Sequence, residues 1–281
     1  MGSSMVKYAK TPPESSKRRS PQNRRRKHTS EIVIRTTHWW LLCSALSLLA
    51  RQPLRAQDNP VVNEYRVAVF PFHPITENLS GFGYLAYVKN PQGSYSQYHV
   101  GYPGFEYSLK PWLEIWGALI GNYINNQGGK EDTFELRPFV GVKFEIANKR
   151  KVEFFDFTRY EARNLYSHDT HDWSLENRIR SRLGAEIPLA TAARAWKTGT
   201  LYTLFDVEAF WVAGKGINMV RFRAGLGYIP NERLRLEFVY HTQWGEATGS
   251  DALVYNQNIF RMNVKIGLKR SILSRVWNPG L

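Results

Sequence analysis

The sequence predicts an all-β protein, an antiparallel transmembrane β-barrel of about ten strands that follows an N-terminal signal peptide. Three observations predict this fold. Long segments alternate apolar and polar residues with a period of two, the links between these segments alternate in length, and a short apolar stretch follows a basic N-terminus. Alternation sustained over about ten residues or more indicates strands and excludes an amphipathic helix, whose stripe repeats every 3.6 residues.

Composition excludes several other classes. The 281 residues are 43% hydrophobic with a mean hydropathy of −0.42, which is too polar for several spanning helices. No apolar run reaches the roughly 18 residues of a spanning helix. The single cysteine rules out a disulfide scaffold. The many aromatic residues, 15 Tyr, 15 Phe and 9 Trp, favour β-structure.

The first segment, residues 1–56, carries most of the charge. It holds twelve Lys and Arg and two acids, which gives +10 of the formal net charge of +14 and leaves +4 for the rest. The apolar stretch 39–50 has the length of a signal-peptide core, Arg35 precedes it, and Ala56 offers a cleavage point. We therefore expect a basic n-region and a signal peptide over residues 1–56.

Two alternatives exist for this segment: an uncleaved anchor, or a basic arm in which residues 17–19 and 24–27 neutralise phosphates. We expect the mature chain to begin near Gln57, residues 1–32 to be a start-site artefact, and nucleic acid not to be a partner. Cys43 lies in the apolar stretch, so the mature chain would contain no cysteine and could use neither disulfides nor thiolate chemistry.

The remaining chain is divided into an irregular lead-in at 57–80, a barrel at 81–270 and a C-terminal tail at 271–281. The predicted strands lie near residues 82–89, 96–108, 112–124, 134–147, 151–163, 173–188, 200–213, 217–229, 233–245 and 257–269. Twelve residues at about 3.3 Å, tilted by about 40°, rise roughly 30 Å and can cross the roughly 25 Å apolar band of an outer membrane. We expect apolar faces outward and charged faces inward, because a closed barrel leaves no backbone group unpaired in lipid.

The connections sort by length, as in outer-membrane barrels. The short turns are 109–111, 148–150 and 230–232, and the longer links are 125–133, 164–172 and 246–256; the links 189–199 and 214–216 break the rule. An even strand count places both termini on the side of the short turns, which would face the periplasm. In residues 151–163 the alternation breaks at Phe154 and Phe155, so a bulge is expected and Asp156 is assigned to either face.

Several hairpins resemble a known family. The segments that carry the resemblance are FEYSLKPWLEIW (105–116), NRIRSRLGAEIPL (177–189), LYTLFDVEAF (201–210), RFRAGLGYIPNERLRLEFVY (221–240) and NIFRMNVKIGL (258–268). Over roughly residues 80–270 they are similar to the bacterial outer-membrane barrel family catalogued as domain of unknown function 2490 (DUF2490). The resemblance implies an outer-membrane barrel and brings no catalytic residues.

Charged residues at alternate positions form the candidate site, a lumen charge network. Its members are Glu135, Arg137, Glu145, Glu176, Arg178, Arg180, Arg182, Glu186, Arg221, Arg223, Arg235 and Glu237. About eight strands enclose just enough room for side chains, and open channels occur near sixteen, so ten strands predict an interior filled by arginine–carboxylate pairs. The alternative is a narrow channel of solvated arginines that prefers anions.

A polar loop at 166–172 is the one dense cluster that could carry chemistry. His168 and His171, with Asp169 or Asp172, could bind a divalent metal or form a rim hydrolase site. The favoured interpretation is a solvated, turn-forming loop, because no helix places both imidazoles on one face. We therefore expect no enzyme, no catalytic residue, no metal site and no cofactor.

The sequence thus predicts a barrel of structural or small-solute transport type in the cell outer membrane, with a narrow, charge-lined lumen. Outer-membrane lipid and the barrel-assembly machinery are the expected partners, and the solute stays unidentified. The alternatives are an outer-membrane barrel enzyme with a rim site between His168 and Asp172, and a soluble exported β-protein.

Overall fold

The computed structural model describes residues 61–92, 95–126, 132–146, 151–247 and 252–268. They form eleven strands: β1 (Val62–Pro74), β2 (Leu79–Lys89), β3 (Tyr95–Lys110), β4 (Leu113–Asn126), β5 (Thr133–Ile146), β6 (Glu153–Ser167), β7 (Trp173–Pro188), β8 (Leu201–Val212), β9 (Gly216–Asn231), β10 (Leu234–Glu246) and β11 (Leu253–Gly267). Within these ranges no helix has the length and hydropathy to cross a membrane. The predicted signal peptide and the C-terminal tail lie outside the described residues.

The strands close into one barrel. Each strand pairs antiparallel with the next along the chain, and β1 closes the barrel by pairing parallel with β11. The predicted all-β barrel is confirmed, and all ten predicted strands are present. The strand count is wrong by one, because β1 occupies most of the segment expected to be an irregular lead-in at 57–80.

The sequence pattern hid β1 because its inner face is charged only at Glu64 and Arg66 and is apolar beyond them, like the outer face. Ala68, Phe70 and Phe72 are buried in the barrel, while Tyr65 and Val67 lie exposed on the outside. Beyond Arg66 neither face is polar, so the period of two in polarity is lost even though the backbone alternates. A proline near the end, at position 71, also argues against a central strand.

The odd strand count separates the two termini of the barrel. The name loop end is used here for the end at which β2, β4, β6, β8 and β10 finish, and the name cap end for the opposite end. Because β1 pairs parallel with β11, β1 begins at the loop end and β11 finishes at the cap end. The expectation that both termini lie on one side is therefore wrong, since it depended on an even count.

The link between β7 and β8, residues 189–200, folds over the cap end and is called the cap segment. Its Trp196 is buried, and its ring centroid lies 5.2 Å from that of Tyr202 in a tilted arrangement. Trp196 also donates from Nε1 to the carbonyl oxygen of Lys151 at 2.8 Å. Trp196 and Ala195 share one apolar cluster with lumen side chains that include Leu204. This packing explains why the link is longer than the turns on its side.

Strand β6 contains no bulge. Its pairing with β5 and with β7 runs without a shift of register, so the expected bulge near residue 154 is wrong. Phe155 is buried in the lumen and Phe154 is exposed, as uninterrupted alternation requires. Asp156 lies on the outer face, where the hydroxyls of Thr158 and Ser181 donate to its Oδ1 at 3.3 and 3.4 Å.

Proline at the centre of β1 should prevent stable closure. Ala68 pairs with both Ala86 and Asn263, and Ala68→Pro removes the backbone donor and leaves a carbonyl unpaired, at about 1–3 kcal/mol. We expect loss of the heat-modifiable folded band on a gel. Ala68→Gly, which keeps the N–H, is the matched control and should retain that band. Equal folding of the two variants would contradict the closure by β1.

Candidate functional site

The lumen has an aromatic wall and a charged wall. The aromatic wall comes from β1, β2, β4, β5 and β6, and its larger members include Phe70, Phe82, Tyr84, Trp116 and Phe157. The charged wall comes mainly from β5 to β11. Because side chains alternate along a strand, every second residue of these strands enters the lumen and the others face outward.

All twelve residues of the predicted network lie on the lumen face. They occupy β5, β7, β9 and β10, and each side chain is buried or half-buried. Within this set, Arg137 and Glu135 form an ion pair, with Nη2 to Oε2 at 2.6 Å. Several other members form ion pairs with residues outside the predicted set; they are Glu145, Glu176, Arg178, Arg180, Arg221, Arg223 and Glu237.

The first of these partners is Glu161 of β6, which is 0% exposed and serves three arginines. Its Oε1 accepts from Arg159 Nε at 2.6 Å and from Arg180 Nη1 at 3.1 Å, and its Oε2 accepts from Arg178. A single carboxylate thus holds guanidinium groups of β6 and β7 together. Hydrogen bonds of this kind, between ionised donors and acceptors, are the strong ones in proteins.

Strand β8 supplies the next two carboxylates. Glu208 lies 2.6 Å from Arg180 Nη2 and 3.5 Å from Arg221 Nη1, and Asp206 accepts from Arg223 Nε at 2.5 Å. The name arginine belt is used here for the six arginines that lie side by side on β6, β7 and β9. They are Arg159, Arg178, Arg180, Arg182, Arg221 and Arg223.

Phenylalanine rings, rather than water, lie against the guanidinium groups of the belt. The guanidinium carbons of Arg180, Arg221 and Arg178 lie 4.4, 5.0 and 5.3 Å from the centroid of the Phe210 ring. Arg182 lies 5.1 Å from the ring of Phe155. Cation–π attraction is strongest where water is excluded, so these rings offset part of the cost of burying the cations.

Next to the belt, toward the loop end, two glutamates form ion pairs with two arginines and a lysine. Glu135 accepts from Arg163 Nε at 2.6 Å in addition to Arg137, and Arg163 Nη1 lies 2.5 Å from Glu176 Oε1. Glu176 also lies 3.8 Å from Lys215, which is 59% exposed. This ionic group is partly open to solvent, unlike the pairs of Glu161.

Near the cap end, carboxylates outnumber cations. The name cap-end acid group is used here for six glutamates near the strand termini, Glu106, Glu114, Glu145, Glu153, Glu186 and Glu237. Lys143, Lys265 and Arg235 lie among them: Lys143 pairs with Glu145 and Glu114, and Lys265 pairs with Glu237. Arg235 lies 5.6 Å from the ring of Trp196 in the cap segment.

Sequence reasoning missed the three carboxylates that hold the belt. Glu161 alternates with Arg159 and Arg163, a pattern that places all three on one face, but the expected bulge obscured it. Asp206 and Glu208 lie between the apolar Leu204 and Phe210 on the inner face of β8, so the sequence pattern did not indicate a charged face there.

The loop cluster at 166–172 is organised around Tyr166. The hydroxyl of Tyr166 lies 3.1 Å from His171 Nδ1, and its ring meets that of His168 edge-on at 5.0 Å. His168, Asp169, His171 and Asp172 are exposed. Among the residues that the structure describes, no group of three or more His, Cys, Asp or Glu side chains could hold a metal ion.

These observations define the class of the molecule: a closed β-barrel with an ionic, aromatic interior and an apolar exterior. The chain belongs to the family described as protein of unknown function DUF2490, whose model matches residues 73–254. The suspected family is thereby confirmed. The match runs from the end of β1 to the start of β11. Comparison with curated proteins and with solved structures finds no match.

Neutralising Glu161 should destabilise the barrel more than neutralising Glu176. Glu161→Gln leaves three buried arginines without their shared carboxylate, and loss of one partner of a buried pair costs about 3–5 kcal/mol. Glu176→Gln is the matched control, because its two partners are partly solvated. Urea unfolding of both variants in detergent measures the difference, and a larger loss for Glu176→Gln would contradict this ranking.

Proposed function

We propose that this protein is an outer-membrane β-barrel of structural or small-solute transport type whose lumen is narrow and filled by side chains. The observation that carries the proposal is the polarity of the barrel wall. Residues that face outward at mid-strand are large and apolar, such as Leu226 and Phe238, which are 57% and 62% exposed. Residues that face inward include the arginine belt. A water-soluble barrel would instead place polar residues outside and apolar residues inside.

Strand length supports the same proposal. The strands contain 11 to 16 residues, and a strand needs about 9–11 residues, tilted by about 45°, to cross a bilayer. At the loop end, a row of aromatic residues runs across neighbouring strands through directly paired positions. The row consists of Tyr87, Tyr98, Tyr123, Phe134, Tyr166 and Trp173. Aromatic rings of this kind favour the headgroup level of a membrane.

The filled lumen is supported by the burial of its largest side chains. Trp116, Arg235, Tyr202, Phe70 and Lys143 are all fully buried, so none of them lines a water-filled channel. The cap segment adds Trp196 at one end. Eleven strands lie close to the size at which side chains just fill a barrel. A transport role would therefore act on small solutes and would require lumen side chains to move.

Outer-membrane lipid and the barrel-assembly machinery are the partners that this proposal requires, and it includes no catalytic step. Membrane fractionation with detergent-dependent extraction tests the location, and recovery in the soluble periplasmic fraction would favour a soluble exported protein. Planar-bilayer recording tests the lumen, because a stable conductance of porin size would rule out the filled interior. Hydrolytic assays of the parent against His168→Ala and His171→Ala test the rim-hydrolase alternative.

A charge on the outer face should destabilise the barrel according to its depth. Leu226→Arg, at mid-strand in β9, should cost about 2–4 kcal/mol in lipid. Leu201→Arg, at the first position of β8, is the matched control and should cost about 0–1 kcal/mol because it lies near the rim. Unfolding by denaturant in lipid vesicles measures both. Equal stability of Leu226→Arg and the parent would mean that this face does not contact lipid.

A further inference from the structure

The arginine belt holds more positive charge than its carboxylates offset. Five of its six guanidinium groups form ion pairs with three carboxylates, Glu161, Asp206 and Glu208, so the belt and these carboxylates have a net formal charge of +3. All of these side chains are buried or nearly so. A buried charge without compensation is unfavourable because the interior solvates it poorly.

Arg182 is the member of the belt that forms no ion pair with these three carboxylates. It is 2% exposed, its Nε and Nη2 atoms have no hydrogen-bond partner, and it forms no ion pair with any side chain in the described ranges. Its strand neighbour across the ladder is Glu208, which is already engaged by Arg180 and Arg221. Its guanidinium group lies against the rings of Phe155 and Phe157, which offer no hydrogen-bond acceptor in the ring plane.

His241 of β10 adds a second unpartnered group beside the belt. It is 1% exposed, and neither ring nitrogen has a hydrogen-bond partner. It pairs across the ladder with Arg223, and the charged groups that act on it are Arg66, Arg221, Arg223 and Arg261. A buried imidazole always carries at least one N–H donor, so this side chain also lacks an acceptor.

We propose that the lumen binds a small oxyanion, of the phosphate or carboxylate class, at the belt between Arg182, Arg223 and His241. Guanidinium groups present paired N–H donors that match the oxygens of an oxyanion, and they do so best where water is excluded. A bound anion would neutralise the excess charge of the belt and would accept from the donors of Arg182 and His241. The cap-end acid group, with six carboxylates and three cations, would repel the same ligand and confine it to the belt. The site concerns the interior alone and does not depend on which membrane surrounds the barrel.

The test measures the unfolding temperature of the full chain in neutral detergent, with sodium phosphate titrated against sodium chloride at matched ionic strength. We expect phosphate to raise the unfolding temperature in a saturable manner, beyond any effect of chloride. Acetate in the same titration identifies whether a carboxylate serves as well as a phosphate. Calorimetric titration of the folded barrel with phosphate should give one site per chain. An effect that follows ionic strength alone, or no binding in calorimetry, would overturn the proposal.

Arg182→Gln distinguishes ligand binding from a purely structural role. We expect this variant to lose most of the phosphate-dependent rise, and to unfold in chloride no lower than the parent, because an uncompensated buried charge has been removed. Arg163→Gln, which removes a paired arginine outside the belt, is the matched control: its unfolding temperature should fall while the phosphate-dependent rise persists. If Arg182→Gln keeps the full rise, the site is wrongly placed.

A second variant covers the case in which Arg182→Gln does not fold. His241→Leu removes both ring nitrogens and keeps an apolar side chain at the same position. We expect it to raise the half-saturating phosphate concentration about tenfold, the effect of about 1.4 kcal/mol. An unchanged half-saturating concentration would exclude His241 from the site and contradict the proposal as stated.

Discussion

Compensation of buried guanidinium charge is the constraint on which the interior of this barrel depends. Period-two alternation brings Arg178 and Arg180 of β7 into the same space as Arg159 and Glu161 of β6. Glu161 can serve three arginines because its two oxygens accept from different directions. The phenylalanine rings then cover guanidinium faces that no carboxylate reaches. The aromatic and the charged walls therefore depend on each other, since each ring occupies space beside a guanidinium group that water would otherwise fill.

Much of the fold follows from the sequence, because most of the strands have one apolar and one polar face. Strand β7 shows this most clearly, with three arginines at alternate positions and strand limits at residues 173 and 188 as predicted. Strand β1 could not be predicted in the same way, because most of its inner face packs against the rings of β2 and its charge is limited to Glu64 and Arg66. The family match also omits most of β1 and β11, the two strands that close the barrel.

Which side chains pair with one another inside the lumen was less predictable than which residues face it. Alternation states which residues point inward, but the partner of each arginine depends on the stagger of neighbouring strands and on how far a long side chain reaches. The register places Glu186 opposite Glu153, in the cap-end acid group. Arg180 of the same strand instead reaches Glu208, which lies on β8 among apolar neighbours. The opposite charge imbalances of the belt and the cap end follow from this stagger, and they set a field along the barrel axis.

The parallel closure of β1 on β11 has a consequence for the order of folding. The side chains of Asn63 and Asn258 are hydrogen-bonded at 3.1 Å across the seam, although 195 positions separate them in the chain. All other strand pairs join neighbours along the chain, so they can form as hairpins at a small loss of chain entropy. The seam must form last, because its loop contains every other strand. High contact order of this kind slows folding. Until the seam closes, two unpaired strand edges stay exposed, and these are the edges at which another chain could add a strand.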